Sequence, residues 1–333
     1  MKGKDKAYAL FWAGTMLALI LDSQTSLKGC REGVELCIRS VIPALFPFLM
    51  LSPILISVLR FKLPGFLHRL LKMPQGADAL IITGCLGGYP VGAQCIAEAA
   101  RRGQLSKPDA NRMMAFCCNC GPGFIFGICS GFFEAKWVPW VLWLCHIGGA
   151  FMIGALIPGK QSSAKLMPDK DVSVMDAFSK AIKAMAQICG WVVLFRCMLE
   201  FLQRWVLWRL DASLQVIITG MLELTNGCFA LPALQNEGLR FVICEAMLSF
   251  GGLCVAMQTA SVTEKVGLGL YLPGKLGQMV ISSLLACGLW MLIHGNWQFA
   301  LWIGAALAGL LSAVKLFFRK RENIGGNLRP AGV

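Results

Sequence analysis

Apolar runs of about bilayer length alternate along this chain with short polar stretches that carry lysine and arginine. A hydrocarbon core about 30 Å thick needs about 20 apolar residues of helix. Eight runs of that order predict spanning helices, at about 7–22, 41–59, 113–133, 137–157, 180–203, 240–262, 272–294 and 298–318. Two further runs, about 79–100 and 213–234, are apolar but interrupted. The first holds Gly84, Gly87, Gly88, Pro90 and Gly92, and the second holds Glu223, Thr225, Asn226, Gly227 and Pro232. Such residues break helices, and broken backbone at membrane depth is tolerated only where protein or a watery cavity covers it.

The basic residues decide whether the interrupted runs cross. With both treated as re-entrant hairpins, only Lys28, Arg31, Arg39, Lys136, Arg204, Arg209 and Arg240 fall outside, and Arg196 lies within a span. The other lysines and arginines fall inside. A crossing at 79–100 would put the basic segments 60–78 and 101–112 on opposite faces, against the positive-inside rule. The hairpin reading therefore predicts cytoplasmic N- and C-termini.

Composition narrows the class further. Only 15% of the 333 residues are charged, 56% are hydrophobic and the mean hydropathy is +0.64, well outside the range of soluble domains. The net charge of +13 sits in short clusters between apolar runs, a pattern that sets membrane orientation rather than a nucleic-acid surface. Most of the 15 cysteines lie inside apolar runs, where cysteine packs as a small apolar residue, so few or no disulfides are expected. The first run follows Lys2, Lys4 and Lys6 without an A-x-A-like cleavage site and reads as a retained anchor. The segment 25–40 reads as an amphipathic interfacial helix.

The layout contains an internal repeat. Helix 41–59, broken run 79–100, broken-start helix 113–133 and helix 137–157 match 180–203, 213–234, 240–262 and 272–294 in order, with Gly92 opposite Gly227 and Gly121 opposite Gly251. The inferred sides are opposite, and inverted repeats with broken helices meeting near the midplane are a transporter design. The expected organisation is an N-terminal anchor and interfacial helix over 1–40, a first repeat over 41–157 and a cytoplasmic linker over 158–179. A second, inverted repeat follows over 180–294, then a last span and basic tail over 295–333.

Four unwound points carry the candidate chemistry. They are Gly88, Tyr89, Pro90 and Gly92; Asn119 and Gly121; Glu223, Thr225, Asn226 and Gly227; and Ser249, Gly251 and Gly252, with Gln258 two turns on. A helix broken in mid-membrane offers free N–H groups on one half and free C=O groups on the other. Four such points predict one polar pocket, although glycines also serve close helix packing. Glu223 is the sharpest single residue, because a carboxylate at that depth costs about 2.5–3.5 kcal/mol. It reads as a solute or coupling-ion contact, or as a structural partner of Arg196 or Lys275. Glu98 is expected to pair with Arg101 or Arg102.

The C-x-x-C of Cys117–Cys120 has no second ligand pair, so no metal is expected there. No cofactor fingerprint and no placed pair of catalytic groups point to an enzyme.

The runs Gly88–Ala93, Leu105–Ser106, Phe116–Pro122, Glu223–Gly227 and Ser249–Gly252 through Gln258 resemble sporulation integral membrane proteins of the YlbJ type. That group is similar to the broader nucleoside-recognition or Gate-domain proteins, which include concentrative nucleoside transporters and the membrane part of ferrous-iron transporters. The resemblance covers roughly residues 30–318. It implies a multi-pass protein of a bacterial cell membrane, a role in sporulation and a transporter-like fold. The expected function is a permease for an unidentified small polar solute. The alternative is a non-transporting assembly factor that keeps a transporter fold, and a membrane enzyme ranks third. Membrane lipid is the expected surroundings and nucleic acid is not a partner. The Gly- and Cys-rich faces suit either a homodimer or an internal seam.

Overall fold

The computed structural model describes residues 3–59, 62–74, 76–159, 173–263 and 266–326. Among them the chain is helical without a strand. Six helical stretches are long and apolar enough to cross a membrane: Ser23–Leu55, Val138–Leu156, Val174–Trp205, Glu237–Thr263, Tyr271–Ile293 and Trp297–Leu316. Large apolar side chains cover the outside, among them Leu17, Leu144, Phe299, Leu301 and Trp302. A soluble monomer does not display apolar surface on that scale.

The eight expected spans are not reproduced one for one. The run 7–22 falls on α1 (Gly3–Leu21), which is not among the six, and several of its side chains lie outside the described residues. The run 113–133 is not one helix. It comprises the end of α7 (Lys107–Met114), an extended stretch, α8 (Pro122–Gly127) and a 3₁₀ turn at Cys129–Phe132. Most of the linker expected at 158–179 and the end of the tail also fall outside the described residues.

The segment expected at the interface is α2 (Ser23–Leu36), which runs through a π turn into α3 (Ile42–Leu59). It lies along α10 (Val174–Trp205), because Gly29 and Gly33 let the backbones meet. A Cβ on either would sit within 3 Å of Cys197 Cα or Val193 Cα. Arg196 binds Glu32 and lies 2.9 Å from Glu200, which also takes Lys28. The arginine inside this expected span is thus neutralised by carboxylates on the helix beside it and one turn ahead.

Both interrupted runs are helical hairpins. After α4 (Gly65–Leu71), α5 (Asp78–Leu86) turns at Gly88 into α6 (Val91–Arg101). Later α11 (Ala212–Leu222) turns at Glu223 into α12 (Leu224–Ala230). Each is zipped by glycines and braced from outside. A Cβ on Gly92 would lie 2.9 Å from Gly84 Cα and against Cys117 O; a Cβ on Gly227 would strike Gly220 Cα and lie 2.9 Å from Met247 Sδ. Cys117 stands four residues before Gly121, and Met247 four before Gly251. The second brace is the helix α13 (Glu237–Phe250), which breaks at Gly251–Gly252 into α14 (Gly252–Thr263). Both glycines have φ near +80°, where a side chain would be strained.

Helices α9 (Val138–Leu156), α13 and α15 (Tyr271–Ile293) pack against one another through the middle of the protein, with α16 (Trp297–Gly326) on their outer side. The contact of α9 with α15 places Gly149 against Ser282 Oγ, and Gly274 of α15 packs on Ala115. The order helix, hairpin, broken helix, helix thus occurs twice, as α3 to α9 and as α10 to α15.

Candidate functional site

The hairpin tips meet the broken helices. A Cβ on Gly121 would lie 3.0 Å from Gly88 Cα, and one on Gly252 would lie 3.0 Å from Gly220 O and 3.3 Å from Leu224 N. Gly251 faces the Tyr89 ring, 3.3 Å from Cζ by the same measure. The four breaks therefore lie together, and three of them, with Val255 and Gln258 of α14, line a small and mostly apolar pocket of about 40 Å³. Gly88, Tyr89, Gly121, Glu223, Thr225 and Gln258 line it, with Leu45, Ile188 and Val192 as apolar wall. That volume suits on the order of two or three water molecules.

Glu223 owes its place to the helix it starts. As the N-cap of α12 it accepts hydrogen bonds from Thr225 N at 3.1 Å, Asn226 N at 2.7 Å and Asn226 Nδ2 at 2.6 Å. The free N–H groups and the helix dipole favour a negative charge at this point. It is 1% exposed and meets neither Arg196 nor Lys275 as an ion pair, so the carboxyl is held by hydrogen bonds from Thr225 and Asn226.

Behind Tyr89 lies a second polar group. Lys275 on α15 is fully buried. Its Nζ donates to Gln278 Oε1 at 2.7 Å and Tyr89 Oη at 3.1 Å, with Asn119 Oδ1 at 3.5 Å, and it lies 5.0 Å from the Tyr89 ring centroid. Tyr89 Oη in turn donates to Leu248 O at 3.2 Å. Gln278 Nε2 donates to Asn119 Oδ1 and to His146 O. His146 in turn accepts from Cys120 N at 2.9 Å through Nε2. Its Nδ1 therefore carries the proton and donates to Ser249 Oγ, whose hydroxyl donates to Glu245 Oε1. The second Glu245 oxygen has no hydrogen-bond partner.

The predicted residues thus divide. Gly88, Tyr89, Gly121, Glu223, Thr225 and Gln258 share the cavity, while Asn119 and Ser249 belong to the network behind it. Asn226 supports Glu223. Gly92 and Gly227 are packing positions, and Gly251 and Gly252 form the break. Pro90 follows Tyr89 in a cis peptide at the hairpin tip. Glu98 pairs with both Arg101 and Arg102.

Gln278 and His146 leave no signal in the sequence pattern. Lys275 counts there as a cytoplasmic charge and as a possible partner of Glu223, whereas the structure gives it Tyr89, Asn119 and Gln278 instead; an ionisable residue inside the run 272–294 is the usable signal. Arg112, counted the same way, is 4% exposed. It donates to Leu71 O and Gly154 O at 2.6 and 2.8 Å, and to Ile157 O and Lys72 O at longer range, joining the C-terminal ends of α4 and α9. All fifteen cysteines are free thiols. Cys118 and Cys120 of the C-x-x-C region point at different partners, Met114 Sδ and Gly121 O.

The chain is 22% identical to the sporulation integral membrane protein YlbJ of Bacillus subtilis (strain 168), over 88% of this chain and 83% of that protein. This similarity supports a YlbJ-type assignment. No protein-family model matches the chain, and no solved structure matches it with significance. The YlbJ match spans nearly the whole length, so both hairpins and both broken helices belong to the compared region rather than to a chain-specific extension.

Proposed function

We propose that this chain is a multi-pass permease of the bacterial cell membrane that serves sporulation and moves a small polar solute by alternating access. The observation that carries the reading is the meeting of all four helix breaks, three of which line one small pocket together with Gln258 of α14. Transporters built from inverted repeats place their sites there, with half-helix ends and unwound backbone as ligands. The paired glycine seams favour a repeat: Gly84 and Gly92 with Cys117 occupy the roles that Gly220 and Gly227 with Met247 occupy in the second half. In this reading about eight segments span, the two hairpins are re-entrant from opposite sides, and both termini are cytoplasmic.

The solute meets Glu223, Thr225, Gln258 and Tyr89, with Asn119 and Lys275 one layer behind. At about 40 Å³ the cavity is too small for an organic solute, so loading requires one half to rock against the other. The buried Lys275, whose partners are all neutral oxygens, gives the inner layer a positive character that suits a solute with an acidic or strongly accepting group.

Thermal unfolding of detergent-purified protein against nucleosides, amino acids, dicarboxylates and divalent metals tests the reading. A true solute at about a hundred times its dissociation constant adds about 2.7 kcal/mol to the native state. The shift should vanish in Glu223→Gln and Asn119→Ala while both stay folded. A shift that survives both substitutions removes the site. A well-folded protein that responds to nothing in the panel favours a membrane assembly role for the same fold.

A further inference from the structure

Cys129, Cys228 and Cys244 come from three different elements: the 3₁₀ turn after α8, the helix α12 and the helix α13. All three are buried and their sulfurs lie within 4.8 Å of one another, with Cys129 and Cys228 at 3.9 Å. We propose that they form a three-coordinate site for a thiophilic ion of the Cu(I) class, joining the first half of the chain to the second.

Size, donor type and rigidity all favour it. Three sulfurs at about 2.3 Å from a central ion in a plane stand about 4.0 Å apart, so one edge of the triangle already has its length and the others need less than an ångström of closure. Thiolates select soft ions. Zinc prefers four ligands, and no histidine, carboxylate or further cysteine joins this cluster among the described residues. The frame is held by contacts next to each cysteine. The rings of Phe132 and Phe229 lie 5.3 Å apart, and those of Phe133 and Phe241 6.2 Å apart. Arg240 donates to Leu234 O and Phe132 O, fastening the same elements. Exposed Glu134 follows the 3₁₀ turn and exposed Glu237 opens α13. Each ligating thiol releases its proton to solvent as the ion binds.

The site is independent of the permease reading. Its test is anaerobic titration of the reduced, full-length protein with Cu(I) against bathocuproine disulfonate. Wild type should hold one more tightly bound Cu(I) than each of Cys129→Ser, Cys228→Ser and Cys244→Ser, while Cys117→Ser matches wild type. X-ray absorption of the loaded protein should show about three sulfurs at about 2.3 Å. Equal stoichiometry in wild type and the three variants overturns the site. If a variant fails to fold, alkylation mapping on wild type decides, run at a urea concentration where these buried thiols label in the metal-free protein: Cu(I) should protect the three cysteines, and unchanged labelling overturns the proposal. Protection by Zn(II) but not Cu(I) overturns the three-coordinate assignment.

Discussion

Lys275→Met tests the inner polar layer most directly. The wild-type ammonium is fully buried and donates to Gln278 Oε1 at 2.7 Å and Tyr89 Oη at 3.1 Å; the 3.5 Å approach to Asn119 contributes little. A hydrogen bond to a charged group contributes about 1.5–3 kcal/mol net, so two give about 3–6. Holding a lysine charge at membrane depth costs about 2.5–3.5 kcal/mol. Methionine fills nearly the same space and loses both terms together. The expected destabilisation is therefore between nothing and about 3.5 kcal/mol, or roughly 5 °C at most for a chain of this length. Tyr89→Phe removes the shared hydroxyl, and a double-mutant cycle between the two should show about 1 kcal/mol of coupling. Thermal unfolding followed by tryptophan fluorescence measures all four proteins. Additivity within about 0.3 kcal/mol would mean that Tyr89 and Lys275 do not interact as drawn. A Lys275→Met protein more stable than wild type by several kcal/mol would refute the estimate that its bonds offset its burial.

Other substitutions separate packing from chemistry. Glu223→Ala strips α12 of its cap and leaves three donors unpaired, so it should destabilise by about 2–4 kcal/mol in thermal unfolding. Glu223→Gln, which keeps one oxygen and discards the buried charge, should stay within about 1 kcal/mol of wild type. Gly227→Ala puts a methyl against Gly220 Cα and should lower stability by about 1–3 kcal/mol; Gly304→Ala, with open space around it, should change it by less than about 0.5. Arg112→Met orphans the carbonyls of Leu71 and Gly154 at two helix ends and should cost about 3–5 kcal/mol, seen as a lower melting temperature and faster proteolysis.

The fold was legible wherever hydropathy and helix breakers speak for themselves. The runs 137–157, 180–203 and 272–294 became α9, α10 and α15 within a few residues at most ends, because a long apolar stretch has few other ways to satisfy its backbone in lipid. Gly88 and Glu223 marked the two hairpin turns for the same reason that they carry them, a backbone conformation and a capping carboxylate. The run 113–133 misled because hydropathy sums over a window and does not register that 115–121 leaves the helix between two short pieces. The segment 25–40 holds more than its amphipathic pattern shows. Gly29, Gly33 and Glu32 face the complementary groove and charge of α10, information held in residues 160 or more positions away.

The site was half legible, and the division follows from the kind of signal each residue leaves. Glu223, Asn119 and Ser249 sit beside glycines, so a local break announced them. Lys275 and Arg112 sit among ordinary basic residues near expected helix ends, where the positive-inside rule accounts for a lysine or arginine without asking where it points. That rule is a statement about loops, and a cation one turn inside a helix satisfies it equally well from water or from the core. Gln278 and His146 then become readable only through contacts between the halves, Gln278 with Asn119 and His146, and His146 with Ser249. The polar layer is thus a tertiary property: each half supplies groups that are unremarkable alone, and only the packing of α9 and α15 across Asn119 turns them into one connected network.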